Sequence, residues 1–112
     1  MYKVRFYKSE SGKTPIEKFL NSTDKSTRSK IDRQIAHLEE FGLSRINPAL
    51  KKLAGTPLWE VRILGKNGVR IICVAVIDRE ILVLHIFKKK SDKTSFKDLN
   101  ISLKRYKEEL DN

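Results

Sequence analysis

The chain has 112 residues, 39% of them hydrophobic and 34% charged, with a formal net charge of +10. That balance fits one folded domain over residues 1–112 and excludes a disordered or collagen-like chain. No apolar run approaches the roughly 20 residues that span a bilayer. The start, MYKVRFYK, alternates apolar and basic residues instead of forming a leader, so a cytoplasmic protein is expected. Charge is uneven: residues 1–20 carry +3, 21–44 balance, 45–70 carry +5 and 88–97 carry +4. A clustered basic surface points to a polyanion, most often nucleic acid; the plainer alternative is a solvated lysine-rich surface. The single cysteine, Cys73, lies in an apolar run and reads as a small buried hydrophobe.

In chain order, residues 2–7 read as a strand with Val4 and Phe6 on one face. Thr14-Pro15-Ile16-Glu17 reads as a helix start, with Thr14 as N-cap, Pro15 at the first position and Glu17 closing a capping box. A second helix begins near Asp24, its apolar Ile31, Ile35 and Leu38 at helical spacing, and Gly42 stands where a C-terminal cap belongs. His37 lies off that stripe and reads as a surface residue. Residues 43–57 read mostly as loop. Three strands follow, LWEVRIL, VRIICVAVI and ILVLHIFK, joined by the short links GKNG and DRE, which make neighbouring antiparallel strands the simplest arrangement. Thr94 or Ser95 caps a last helix with an apolar stripe of Leu99, Leu103, Tyr106 and Leu110. The expected fold is α+β: a mostly antiparallel sheet packed by an N-terminal helical hairpin, with a C-terminal helix.

Side chains alternate faces along a strand. Trp59, Val61 and Ile63 then share one face, with Glu60 and Arg62 on the other; Leu82, Leu84 and Ile86 share a face opposite Ile81, Val83, His85 and Phe87. If the all-apolar faces pack on the hairpin, Arg62 and His85 emerge together on an open face, with Arg70 entering the middle strand beside them. Histidine is suited to proton transfer near neutral pH, arginine to paired hydrogen bonds with phosphate, and lysine to added positive charge. That set fits RNA cleavage, in which a 2′-hydroxyl attacks its own phosphodiester without metal or cofactor. Duller readings stand beside it: a structural strand histidine, an Arg62–Glu60 pair, and a solvated Lys88-Lys89-Lys90 strand end. No carboxylate pair, Cys/His cluster, glycine-rich nucleotide loop or nucleophile elbow is present, so no metal and no cofactor is expected.

The run LWEVRI…VRIICVAVIDREILVLHIFKKKSDKTSFKDLNISLKRYKE resembles the RelE/ParE toxin superfamily, and its phage-derived, HigB-like branch in particular. The matching positions are Glu60-Val61-Arg62, then Arg70, then Leu84 through Lys90, then Lys93-Thr94; Ser95 stands where that branch usually has proline. The likeness extends to the N-terminal strand and the TPIEKFL helix. It implies a RelE-like domain and the toxin of a type II toxin–antitoxin system, an mRNA endonuclease acting on the ribosome to inhibit translation. It also implies a cognate antitoxin, often of helix-turn-helix type, through which alone operator DNA would be bound. Carried onto this chain, Arg62 and Arg70 would hold the scissile phosphate, and His85 and one of Lys89, Lys90 or Lys93, Lys89 foremost, would transfer protons. Phe87, Lys88, Lys90 and Lys93 would bind RNA. The related ParE branch inhibits DNA gyrase instead, and a non-catalytic RNA-binding relic is the third possibility.

Overall fold

A computed structural model describes residues 1–65, 68–91 and 93–111. The elements run β1 (Lys3–Phe6), α1 (Pro15–Asn21), α2 (Lys25–Phe41), β2 (Leu50–Lys52), β3 (Trp59–Arg62), β4 (Val69–Val76), β5 (Glu80–Lys88) and α3 (Phe96–Leu110). They form one sheet in the order β1-β5-β4-β3-β2, with β1 parallel to β5 and every other pair antiparallel. The expected α+β architecture is therefore present. Lys66 and Asn67 of the expected GKNG turn lie outside the described residues. No described helix is long and apolar enough to cross a membrane.

Each face of the sheet has its own core. Helices α1 and α2 lay Ile16, Leu20, Ile31 and Leu38 on Val61, Ile63, Val69, Ile71, Cys73, Ile81, Val83 and Ile86. Burial pushes the Cys73 thiol up to about 12, so it packs as an inert apolar group. On the other face, α3 sets Leu99, Leu103 and Tyr106 against Tyr7, Leu58, Ile72, Val74, Leu82 and Leu84. Asp24 caps α2, accepting from the Thr27 N–H, and Ser95 caps α3, accepting from the Asp98 N–H. Gly42 ends α2 at φ 73, and a β-carbon there would lie 2.6 Å from the Tyr2 ring. This close approach lets the Tyr2 N–H reach the Glu39 carbonyl at 2.7 Å and locks β1 to the end of α2.

Several expectations need correction. Residues 50–52 are an edge strand, not loop: Leu50 buries into the hairpin-side core while Lys51 points out. The Thr14 side chain caps nothing, and Glu17 Oε1 is buried with no hydrogen-bond partner, so no capping box forms. A residue before proline is held out of helical geometry, and here ψ is 74 at Thr14. His37 is half-buried, its ring 4.7 Å from that of Phe41. Leu110 ends the α3 stripe 64% exposed.

The most consequential correction is on β5. Ile72 pairs with His85 but Cys73 pairs with Val83, so Leu84 is the extra residue of a β-bulge. The bulge shifts the alternation by one. Leu82 and Leu84 face α3 while Ile86 joins Ile81 and Val83 on the hairpin side. His85 does share a face with Arg62, as expected, but the bulge puts it there; unbroken alternation would have sent it under the hairpin with Val83.

Candidate active site

The register of β3, β4 and β5 builds the site from below. Arg62 pairs with Arg70, which pairs with Phe87; in the next row Glu60 pairs with Ile72, which pairs with His85. Glu60 is only 2% exposed. A buried carboxylate is costly unless matched by charge and donors, and three groups supply them. Thr94 donates its hydroxyl at 2.5 Å, and the Nε atoms of Arg62 and Arg70 lie 3.4 and 3.7 Å away. The two arginines differ in exposure: the Arg70 side chain is 7% exposed and the Arg62 side chain 36%. Arg70 is thus held behind Glu60, while Arg62 meets solvent.

Arg62 and Glu60 open onto a cleft of about 410 Å³ that also exposes Lys51, Lys52, Lys93 and Thr94. Among the described residues, four cations and one carboxylate, itself turned inward, give the cleft an anion-attracting field. Lys51 arrives there because it pairs with Glu60 across β2 and β3. Lys93 lines the cleft as expected. Lys88, Lys89 and Lys90 are exposed but do not line it. The Lys89 stem folds over Gly68, whose φ is 52, and its N–H donates to the Gly68 carbonyl at 2.9 Å. Phe87 packs on the α3-side core and stacks on His85 at 5.0 Å.

His85 is held under α3, with its side chain 12% exposed. Its Nε2 lies 2.8 Å from the Asp98 carboxylate, and its Nδ1 lies 3.5 Å from Arg105, which donates to the Leu84 carbonyl at 2.8 Å. A cation beside Nδ1 and a carboxylate beside Nε2 fix the neutral ring with its proton on Nε2. Burial is the main force lowering the His85 pKa; the hydrogen bond to Asp98 opposes it and the Arg105 charge adds to it. Burial disfavours the Asp98 charge, but hydrogen bonds from Ser95 and His85 outweigh that and hold its pKa below the ordinary value. The Leu84 carbonyl that anchors Arg105 belongs to the bulged residue itself.

Reading the strands alone misses Lys51, Lys52, Thr94, Asp98 and Arg105. The α3 pair carried a usable signal: Asp98, Ser102, Arg105 and Glu109 repeat the i, i+4, i+7, i+11 spacing one residue ahead of the apolar stripe. All four turn toward the sheet or its edge. Ser102 is fully buried, and Glu109 pairs with Arg5 at 2.9 Å. Among the described residues, no three His, Cys, Asp or Glu side chains converge as metal ligands would.

Comparison with known proteins places the chain. No curated protein sequence is significantly similar to it. A solved structure of the Escherichia coli toxin RelE, a double arginine-to-alanine mutant in the free state, is similar in fold, with a TM-score of 0.64 at 16% identity, covering 93% of this chain and 96% of that chain. The model of the family described as "Phage derived protein Gp49-like (DUF891)" matches residues 18–107. The chain therefore has a RelE-like fold and belongs to the phage-derived Gp49-like family.

Proposed function

We propose that this protein is the toxin of a type II toxin–antitoxin system, a metal-independent endoribonuclease that cuts mRNA on the ribosome and stops translation. The observation that carries the reading is the cationic cleft built around Glu60, with Arg62 at its front and His85 in the adjacent row of the same sheet face. In this reading Arg62 and Lys93 take the scissile phosphate, Arg62 through paired hydrogen bonds. Lys51 and Lys52 extend the positive track along the RNA backbone, and the exposed Lys88, Lys89 and Lys90 add to the field around it. Arg70 acts through Glu60, fixing the carboxylate that in turn orients Arg62. The 2′-hydroxyl gives up its proton and attacks the adjacent phosphorus, the bond to the 5′-oxygen breaks and that oxygen takes up a proton, leaving a 2′,3′-cyclic phosphate and a 5′-hydroxyl. His85 transfers a proton once the first turn of α3 swings Asp98 off Nε2. Phe87, stacked on His85, becomes a platform for a base in the same opened state. A cognate antitoxin holds the toxin silent.

Induction in cells tests the reading. Wild type is expected to arrest growth, and Arg62→Ala to lose about 10²–10³ in cleavage rate, as when one stabilising donor is removed. His85→Ala is expected to lose about 10²–10⁴ if the ring transfers a proton. Arrest with intact mRNA and inhibited supercoiling by purified gyrase would replace this reading with gyrase inhibition. The engagement of both His85 ring nitrogens favours a second reading, an RNA-binding protein without catalysis. In that case His85→Ala leaves RNA affinity unchanged and overexpression is harmless.

A further inference from the structure

A second and larger cleft, of about 670 Å³, lies on the other side of Arg62, between α2, the segment before β2 and the residues that follow β3. Its aliphatic surface comes from Pro48, Ala49, Ile63 and Leu64, and its cations are Lys30, Arg33 and Arg62. No carboxylate and no aromatic ring is among the described residues that line it. Leu64 is 80% exposed at its rim, and Ile46, just before the segment that lines it, is 91% exposed. Lys30 bridges α2 to the strand end, its ammonium 3.1 Å from the Leu64 carbonyl. Nothing described in the fold requires aliphatic side chains to stand in water at the edge of a basic cleft.

We propose that this cleft docks an acidic amphipathic segment of a partner protein. This rests on the toxin reading above, under which the partner is the antitoxin. Single-stranded RNA is the other polyanion to weigh, and the lining disfavours it. Bases are held chiefly by stacking on aromatic or guanidinium planes; no aromatic ring is among the described residues lining this cleft, its guanidinium groups are those of Arg33 and Arg62 alone, and Arg62 is already engaged by Glu60. An aliphatic groove rimmed by exposed apolar side chains is instead the signature of a protein contact, and Lys30, Arg33 and Arg62, with no carboxylate among the described residues that line the cleft, select carboxylates on the incoming segment. Because Arg62 lines both clefts, a carboxylate seated on it from this side takes the donors that the RNA phosphate needs. The partner then silences the site without filling the cleft around Glu60.

The test uses the full chain, the purified product of the gene beside its own, and a short labelled oligouridylate as RNA probe. Leu64→Ser and Arg33→Gln are each expected to raise the Kd for the neighbouring protein about tenfold, the effect of losing an interface anchor. Their oligouridylate affinity and its salt slope stay at wild-type values, as does the melting temperature. Lys13→Gln, exposed and far along the chain, serves as the control and leaves both affinities unchanged. Undiminished partner affinity in both variants overturns the docking surface alone. A loss of oligouridylate affinity with a shallower salt slope assigns the cleft to RNA and also overturns it. No complex between wild type and the neighbouring protein overturns the toxin–antitoxin reading, and this surface with it.

Discussion

The two faces of the sheet are built on different principles. The centre of the hairpin-side core is aliphatic and tightly packed: Ile31, Val61 and Cys73 have no exposure and the side chains meet as dense hydrocarbon, with the larger cleft opening only at its edge, along Ala49 and Ile63. The α3 side has a smaller apolar core, and only Ser102 of its helix is buried. There α3 is held largely by polar links: Asp98 to His85, Arg105 to the Leu84 carbonyl, Tyr7 to Glu108, and Arg5 to Glu109. Hydrocarbon packing is non-directional and strong in sum, whereas each polar link contributes a modest net amount and depends on geometry and protonation. One face therefore supplies most of the hydrocarbon burial, and the other positions charged groups under α3.

Truncation in the hairpin-side core gives the largest effect. Ile31→Ala is expected to cost about 2–5 kcal/mol in urea denaturation, because it leaves a cavity in a packed site. Leu103→Ala on the half-buried α3 stripe is expected to cost only about 1 kcal/mol; equal losses would erase the contrast between the faces. Arg62→Ala inverts the pattern: Arg70 and Thr94 remain on the buried Glu60 carboxylate, so stability falls by only about 1–2 kcal/mol while cleavage falls steeply. Asp98→Asn is expected to remove about 1 kcal/mol of hydrogen bonding to His85 and to speed amide exchange in α3 without speeding it in α2.

The smallest effect is one of pH. The folded-state pKa of His85 lies below its ordinary 6.5, so the unfolded chain binds the extra proton first as pH falls. The stability from its neutral burial is complete above 6.5 and declines as pH drops toward the lowered folded value. Asp98, also lowered, contributes stability above its ordinary 3.8 that is lost as pH falls through its folded value. Both signs agree, so melting temperature should fall on acidification, and His85→Gln should remove the part of that fall that begins just below 6.5. A variant melting with the wild-type pH profile would remove His85 from the account.

The strands and helices were legible in the residues because periodicity is a local property. Ile31, Ile35 and Leu38 announce a helix, and VRIICVAVI announces a central strand wherever they sit. What escaped was set by tertiary context. The three-residue β2 carries one apolar side chain, too few to show a period. The bulge at Leu84 leaves no mark in LVLH, where apolar residues are continuous and either parity is consistent. His85 does share a face with Arg62, but the bulge puts it there and α3 covers it, so the expected open face is a covered one. Arg62, Arg70 and His85 could be grouped from strand parity, but the burial of Arg70 behind Glu60 and the covering of His85 by α3 depend on where a distant helix lands. The polar stripe beginning at Asp98 is present in the spacing, but it runs one residue ahead of the stronger apolar stripe and carries no hydrophobic signal of its own.

The most direct measurement is 5′-end mapping of cellular mRNA after brief induction of the wild type beside Arg62→Ala. The account predicts new ends within reading frames in the wild type and none in the variant. New ends that persist in Arg62→Ala, or growth arrest with no new ends in either, would contradict it.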